Sequence, residues 1–312
     1  MGGGNSDSKR VEARAEARAR IPVQEVFKET KLHPGMDPNG LMFRESRDGD
    51  EHPDSIAVVF NMDITGSMGT IPRLLATEVM HEFMPGLARV NPHVQVLFAA
   101  IGDADDGYNY PAPWQNGQFE TDDALADEWL TRMWLEGSGG SAPYESYDLA
   151  FYFLGWLTQM DCFEKRGKKG YAFLTGDDIC RGQILAETVN RLLGRTELQA
   201  NITIQEAITR TAQMYHVFFL IPDPLRARNY RDEKYVEDEW RKLLGQNGTV
   251  VVLADARDTA VVSSVLFGLT EGAYASIDAV RDDLRDNFKR TDEMAERVIR
   301  AVAPYAKTLG IK

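Results

Sequence analysis

Asp63, Thr65 and Ser67 alternate in the stretch Asp63-Ile64-Thr65-Gly66-Ser67-Met68-Gly69. One carboxylate and two hydroxyls at i, i+2 and i+4 can direct their oxygens into one small space. Such a set suits a hard divalent cation, which takes oxygen ligands in a near-octahedral array and keeps some of its waters. The turn follows the apolar run Ile56-Ala57-Val58-Val59-Phe60 and precedes a helical pattern that begins near Ile71. It therefore joins the end of a buried strand to a helix. The plainer alternative is an ordinary strand-to-helix turn in which Ser67 caps the helix.

Other chemistries are poorly supplied. His81-Glu82 has Pro85 where a zinc helix needs its second histidine. There is no Gly-x-x-x-x-Gly-Lys-Ser/Thr phosphate loop, and Thr65 stands where a nucleophile elbow around Ser67 would carry glycine. His33, His52, His81, His93 and His216 are scattered. Tyr108, Tyr110, Trp114, Trp129 and Trp134 read as packing rather than as a base-stacking platform. The basic turn Glu164-Lys165-Arg166-Gly167-Lys168-Lys169-Gly170 reads as a solvated loop that could dock an acidic partner.

The elements that must position the Asp63 turn follow from periodicity. Apolar strands are expected at about 55–62, 94–101, 170–174, 216–221 and 249–253, with a short edge strand at 118–121. Helices are expected at about 71–90, 123–135, 144–160, 202–214, 237–245 and 259–269. The first of these carries Leu74, Leu75, Val79, Phe83 and Leu87 on one stripe, with Pro85 able to kink or end it. Strands separated by helices mean βαβ units and a largely parallel sheet. Near-continuous apolar strands fit burial on both faces. Residues 277–309 read as two more helices divided near Thr291, a helix-capping residue. The expected organisation is a partly flexible N-terminal arm at 1–50, an α/β domain at 51–272 and a helical extension at 273–312.

The chain has 312 residues, 43 % of them hydrophobic, and a formal net charge of −13. That charge argues against nucleic acid or an anionic membrane as partner, since both call for a cationic surface. Cys162 and Cys180 have no redox or metal-ligand spacing, which fits a reduced compartment without a disulfide. No apolar run approaches the ~20 residues of a membrane span. Met1-Gly2-Gly3-Gly4-Asn5-Ser6 fits a loose N-myristoylation pattern but reads more simply as a flexible start. A cytoplasmic protein is expected.

The Asp63-x-Thr65-x-Ser67 turn after the first strand resembles the metal-ion-dependent adhesion site of von Willebrand factor A domains, over roughly residues 55–270. The resemblance is to the intracellular, bacterial or phage branch of that family. It implies a doubly wound α/β fold, a mostly parallel sheet of order 3-2-1-4-5-6 with one antiparallel edge strand, and helices on both faces. It also implies a further hydroxyl from a Gly-Gly-Thr loop. Here Gly139-Gly140-Ser141 precedes the helix holding Tyr147-Asp148-Leu149-Ala150. Counted back from Ala150, the same position falls on Glu145, with Ser146 beside it, so Ser141 and Glu145 both stand as candidates. Finally, the family supplies an acid after strand four within Thr-Asp-Gly. Here the sequence is Thr175-Gly176-Asp177-Asp178, with Asp177 favoured as nearer the strand end and Asp178 beside it.

In open α/β sheets ligands bind beyond the carboxyl ends of the strands, where strand order reverses. In this order the reversal lies between strands one and four, which carry Asp63 and Asp177. Strand two ends in Gly102-Asp103-Ala104-Asp105-Asp106-Gly107 and brings Asp103 to the same rim in a supporting place. Several carboxylates crowded together cost free energy unless a cation neutralises them. The implied ion is Mg²⁺, or else Mn²⁺ or Ca²⁺. The expected function is a divalent-cation-dependent protein-binding module or adaptor that recognises a partner's acidic residue. The resemblance adds a separate AAA+ ATPase as working partner, because this chain has no ATPase motif. The alternative is a metal-dependent phosphoester hydrolase with Arg73 or Arg181 as its clamp.

Overall fold

Six strands form the central sheet of the computed structural model, which describes residues 26–104, 112–135, 144–227 and 234–312, with Ala13, Ala17 and Asp232 besides. β1 (Ile56–Asp63) and β2 (Val94–Ile101) are buried at every residue, as strands covered on both faces must be. β3 (Trp114–Asn116), β4 (Gly170–Thr175), β5 (Tyr215–Ile221) and β6 (Thr249–Val252) complete the sheet. Across it the order is β6-β5-β4-β1-β2-β3. Every pairing is parallel except that of β2 with β3 at the edge. This is the doubly wound order 3-2-1-4-5-6 with an antiparallel edge strand.

The helices divide by the parity of the strands, because alternate side chains face opposite ways. Besides a single helical turn at Asp161–Glu164, they are in chain order α1 (Ile71–Leu74), α2 (Phe83–Val90), α3 (Asp123–Thr131), α4 (Tyr147–Trp156), α5 (Ala186–Leu193), α6 (Ile204–Met214), α7 (Tyr235–Leu244), α8 (Thr259–Thr270), α9 (Ile277–Asp286) and α10 (Asp292–Thr308). Val58, Phe60 and Met62 pack in one core with α1, α2, α3, α8, α9 and α10. Ala57 and Val59 pack in the other with α4, α5, α6 and α7. Asp63 has the parity of Ala57 and Val59, so the strand delivers its carboxylate toward α4.

Four local expectations change. The helix over 71–90 is not continuous: a π turn at Leu75–Val79 and a 3-10 turn at Met80–Glu82 separate α1 from α2. These irregular turns lie just before Pro85, whose ring would crowd a regular preceding turn. The edge strand is Trp114–Asn116 rather than 118–121, where only a single Val96–Glu120 bridge forms. Gly117 divides the two: its N–H donates to the Phe98 carbonyl at 2.9 Å, and a Cβ there would lie 2.8 Å from that oxygen. The helix expected at 144–160 is shorter, since Thr158–Met160 pairs in parallel with Arg44–Ser46. Helix α5 carries too few apolar residues to have been read; it buries Val189, Leu192 and Leu193.

Both ends of the described chain share the main cores. Val280, Leu284, Val298 and Val302 are fully buried beside α8. Thr291 caps α10, its hydroxyl accepting from the Met294 N–H. The basic turn is exposed from Glu164 to Lys168, as a solvated loop would be, and its cations also pair within the molecule. Arg166 holds Asp48 at 2.7 Å, Lys165 holds Asp161 at 2.6 Å and Lys168 holds Glu271 at 2.6 Å, while Lys169 donates to the Ala212 carbonyl. Cys162 and Cys180 are both free thiols. No helix among the described residues is long and apolar enough to cross a membrane.

Candidate metal-binding site

The Asp63 turn is built by ladder, anchor and glycine. Ile64 extends the β1–β2 ladder by donating to the Ile101 carbonyl at 2.9 Å. Ile64 and Met68 are buried and anchor the turn from the core side. Gly66–Met68 makes one 3-10 turn, closed by the Gly69 N–H on the Gly66 carbonyl. Gly69 sits at φ +58°, a left-handed conformation that glycine adopts without a side-chain clash. The Arg226 guanidinium occupies the space a Cβ at Gly69 would take, and it donates to the Ser67 carbonyl at 2.7 Å.

Within the turn the oxygens form a chain. Asp63 Oδ1 accepts from the Thr65 N–H at 2.9 Å and the Thr65 hydroxyl at 2.6 Å. Ser67 Oγ donates to Asp177 Oδ1 at 2.8 Å. Thr65 Oγ1 and Ser67 Oγ lie 3.1 Å apart. A hydroxyl has one proton and two lone pairs. Each hydroxyl lies within hydrogen-bond reach of a carboxylate and of the other hydroxyl, and either of the two can donate to the other. Ser67 therefore does not cap the following helix, whose first turn has no side-chain cap. The Asp63 N–H also donates to the Thr175 hydroxyl at 3.3 Å, which ties the ends of β1 and β4 together.

Charge around the chain is dense. Asp63, Asp103, Glu145 and Asp177 are all buried. Burial, then the charge of Asp177, holds the Asp63 carboxyl up at about 7. Asp177 is also raised, chiefly by burial, although Ser67 and Arg226 oppose the rise. Burial, then Asp177 and Asp103, pushes Asp178 up to about 6. Glu145 goes furthest, to about 10, through burial and the fields of Asp63, Asp103, Asp178 and Asp177. Its Oε2 is buried with no hydrogen-bond partner. Among the described residues no three His, Cys, Asp or Glu side chains gather into a ready cage. The donors that converge are two carboxylates and two hydroxyls, a hard-oxygen set that fits a small divalent ion.

Most of the expected residues meet here. Asp63, Thr65, Ser67 and Asp177 are linked directly, and Asp177 rather than Asp178 reaches Ser67. Asp178 instead accepts from its neighbour Ile179 N–H at 2.7 Å, and its carbonyl accepts from Trp240 Nε1. Glu145 lies on a short parallel pairing with Cys180, within the field of Asp63. Ser146 is engaged elsewhere, its hydroxyl accepting from the Ala104 N–H at 2.8 Å. Ser141, Gly139, Gly140, Asp105 and Asp106 lie outside the described residues, as do Met1–Ser6. Asp103 is held by Arg181 at 2.6 Å, so the guanidinium expected as a phosphate clamp is committed to the protein itself.

Sequence reasoning missed Tyr147 and Arg226. Tyr147 opens α4, and its hydroxyl donates to Asp63 Oδ2. The signal was strand parity, which aims Asp63 at whichever helix covers Ala57 and Val59. Arg226 comes from the loop after β5 and carries no local signal.

No family model matches the sequence, and no curated protein matches it. Solved structures do resemble the fold. The pilus adhesin SpaC from Lactobacillus rhamnosus GG is 12% identical with a TM-score of 0.43, over 77% of this chain and 31% of that one. The SpRpn10 VWA domain is 8% identical with a TM-score of 0.40, over 67% of this chain and 94% of that one. A von Willebrand factor type A protein from Catenulispora acidiphila is 16% identical with a TM-score of 0.38, over 70% of this chain and 43% of that one. The chain thus spans about a third of the adhesin and under half of the Catenulispora protein.

Proposed function

We propose that this chain is a divalent-cation-dependent protein-binding module whose partner contributes a carboxylate to the site. The observation that carries the reading is the convergence of four oxygens, Thr65 Oγ1 and Ser67 Oγ 3.1 Å apart and each also bonded to a buried carboxylate, Asp63 or Asp177. Thr65, Ser67 and Asp177 would hold the ion, with Asp63 orienting Thr65 and Glu145 adding charge beside it. A bound Mg²⁺ or Mn²⁺ supplies a Lewis-acidic position that a partner's acidic side chain can complete. The chain's own residues do the rest. Asp63 fixes the Thr65 hydroxyl, Asp177 fixes Ser67, and Arg226 clamps the backbone between them at the Ser67 carbonyl.

The resemblance to von Willebrand A domains extends the proposal to an adaptor serving a separate AAA+ ATPase. Isothermal titration with Mg²⁺ tests the ion. Affinity capture in Mg²⁺, followed by elution with chelator, tests the partner. Binding of Mg²⁺ that Asp63→Ala leaves unchanged would rule the site out.

A further inference from the structure

We propose that the amino edge of the sheet carries a second site, a small polar cavity that binds a phosphate group, free or as a short monoester. The inference is independent of the ion-binding reading, which concerns the opposite edge. The cavity has a volume of about 200 Å³, below the range that holds drug-sized molecules. Lys169, His216, Gln246, Asn247, Thr249 and Tyr305 bring polar groups to its lining.

Strand register explains why they meet. Lys169 directly precedes β4, His216 is the second residue of β5 and Thr249 opens β6. His216 has the parity of Phe218, and Thr249 pairs with Phe218 across the ladder. Tyr305 of α10 packs edge-on against Phe218, with ring centroids 5.1 Å apart. The β5–β6 ladder starts at that pair and leaves a gap beside His216. Gln246 and Asn247, from the 3-10 turn Gly245–Asn247, line the gap.

The chemistry of the lining selects an anion. Lys169 is its cation, and among the described residues no Asp or Glu joins it. Nearby Glu271 is already held by Lys168 at 2.6 Å and accepts from the Tyr171 hydroxyl at 2.5 Å. An ammonium has three protons. Lys169 gives one to the Ala212 carbonyl at 2.6 Å and keeps two. The side chains of His216, Gln246 and Asn247 make no hydrogen bond among the described residues, and each can donate. Burial, then Lys169, holds the His216 imidazole down at about 4, so at pH 7 it is neutral and offers one N–H. Lysine binds phosphate as a point charge, and neutral donors complete the shell. Donors that arrive from β4, β5 and the 3-10 turn suit a tetrahedral oxyanion better than a carboxylate, whose two oxygens lie in one plane.

The test is calorimetric titration of the full chain, stripped of metal beforehand, at pH 7. The probes are inorganic phosphate, O-phosphoserine and acetate. Inorganic phosphate is expected to bind one to one, and acetate about tenfold more weakly or worse. Lys169→Ala should weaken phosphate about tenfold, the loss of one charge-assisted bond, and leave Mg²⁺ binding unchanged. Asn247→Asp, which puts a carboxylate into the lining at nearly constant size, should weaken phosphate at least as much and serves if the first variant folds poorly. The His216 ring resonances should shift as phosphate saturates the wild type, and Lys169→Ala should suppress that shift. Tighter binding of inorganic phosphate than of phosphoserine would assign the cavity to the free anion, and the reverse order to a monoester. No phosphate binding, acetate binding as tight as phosphate, or phosphate binding that neither variant weakens would overturn the inference, whatever becomes of Mg²⁺ binding.

Discussion

Asp63 ties the end of β1 to its own turn and to helix α4. It is a buried carboxylate with three hydrogen bonds, and burial beside Asp177 still holds its carboxyl near 7. Asp63→Ala should abolish Mg²⁺ binding while leaving the sheet folded, which titration calorimetry and circular dichroism together would check. The same residue sets a pH dependence. Carboxyls in the unfolded chain titrate near 4, so folding raises the values of Asp63 and Asp178. A raised acid contributes stability that is whole below about pH 4 and is lost as the pH climbs through about 6–7. The metal-free protein is therefore expected to lose stability at this site as the pH rises from about 4 to about 8. Asp63→Asn should flatten that slope, and saturating Mg²⁺ should offset it in the wild type. Scanning calorimetry across that range, in chelator and in Mg²⁺, reads both. A wild-type slope identical to that of Asp63→Asn would contradict the assignment.

At the scale of elements, the two ends of the chain matter more than their positions suggest. Leu284 of α9 is fully buried in the core that covers Val58 and Phe60. Leu284→Ala should cost about 2–5 kcal/mol, as other buried leucine truncations do. Urea unfolding measures it, and a cost below about 1 kcal/mol would mean that α9 only decorates the surface. The N-terminal segment makes a matching case. Arg44–Ser46 pairs with Thr158–Met160, Leu41 is buried, and Ser46 Oγ donates to Gln95 at 2.8 Å. A chain starting at residue 55 should melt below one starting at residue 26. Equal melting temperatures would show that the pairing adds nothing.

Taken whole, the molecule carries a formal charge of −13 and is proposed to bind an acidic residue of its partner through an ion. A direct metal–carboxylate bond is not screened like a surface charge pair, whose field salt cuts off over about 10 Å at 0.1 M. Raising salt should therefore matter less than chelation: chelator should release the partner and restored Mg²⁺ should recapture it. Surface plasmon resonance with the captured partner, run in a salt series and a chelator series, separates the two. Release by 0.5–1 M salt with indifference to chelator would point to a screened charge pair instead.

The alternation of apolar strands and amphipathic helices was legible in the chain because burial on two faces demands it, and the doubly wound order followed through a resemblance carried by one seven-residue turn after the first strand and two later loops. Asp63, Thr65 and Ser67 could be read as a unit because they are neighbours along the chain, where spacing is geometry. Asp177 was reachable because it follows a recognisable strand. Tyr147 and Arg226 were not, since their meaning lies in contacts across 84 and 159 residues that only packing brings about. The edge strand was misplaced for a related reason: the close approach of Gly117 to Phe98 is a property of two strands, not of one. The chain by itself determined which elements form and which oxygens converge in a turn. Tertiary structure decided which second oxygen of Asp63 is tied and by what, because helix α4 reaches that strand end only once the sheet has closed beneath it.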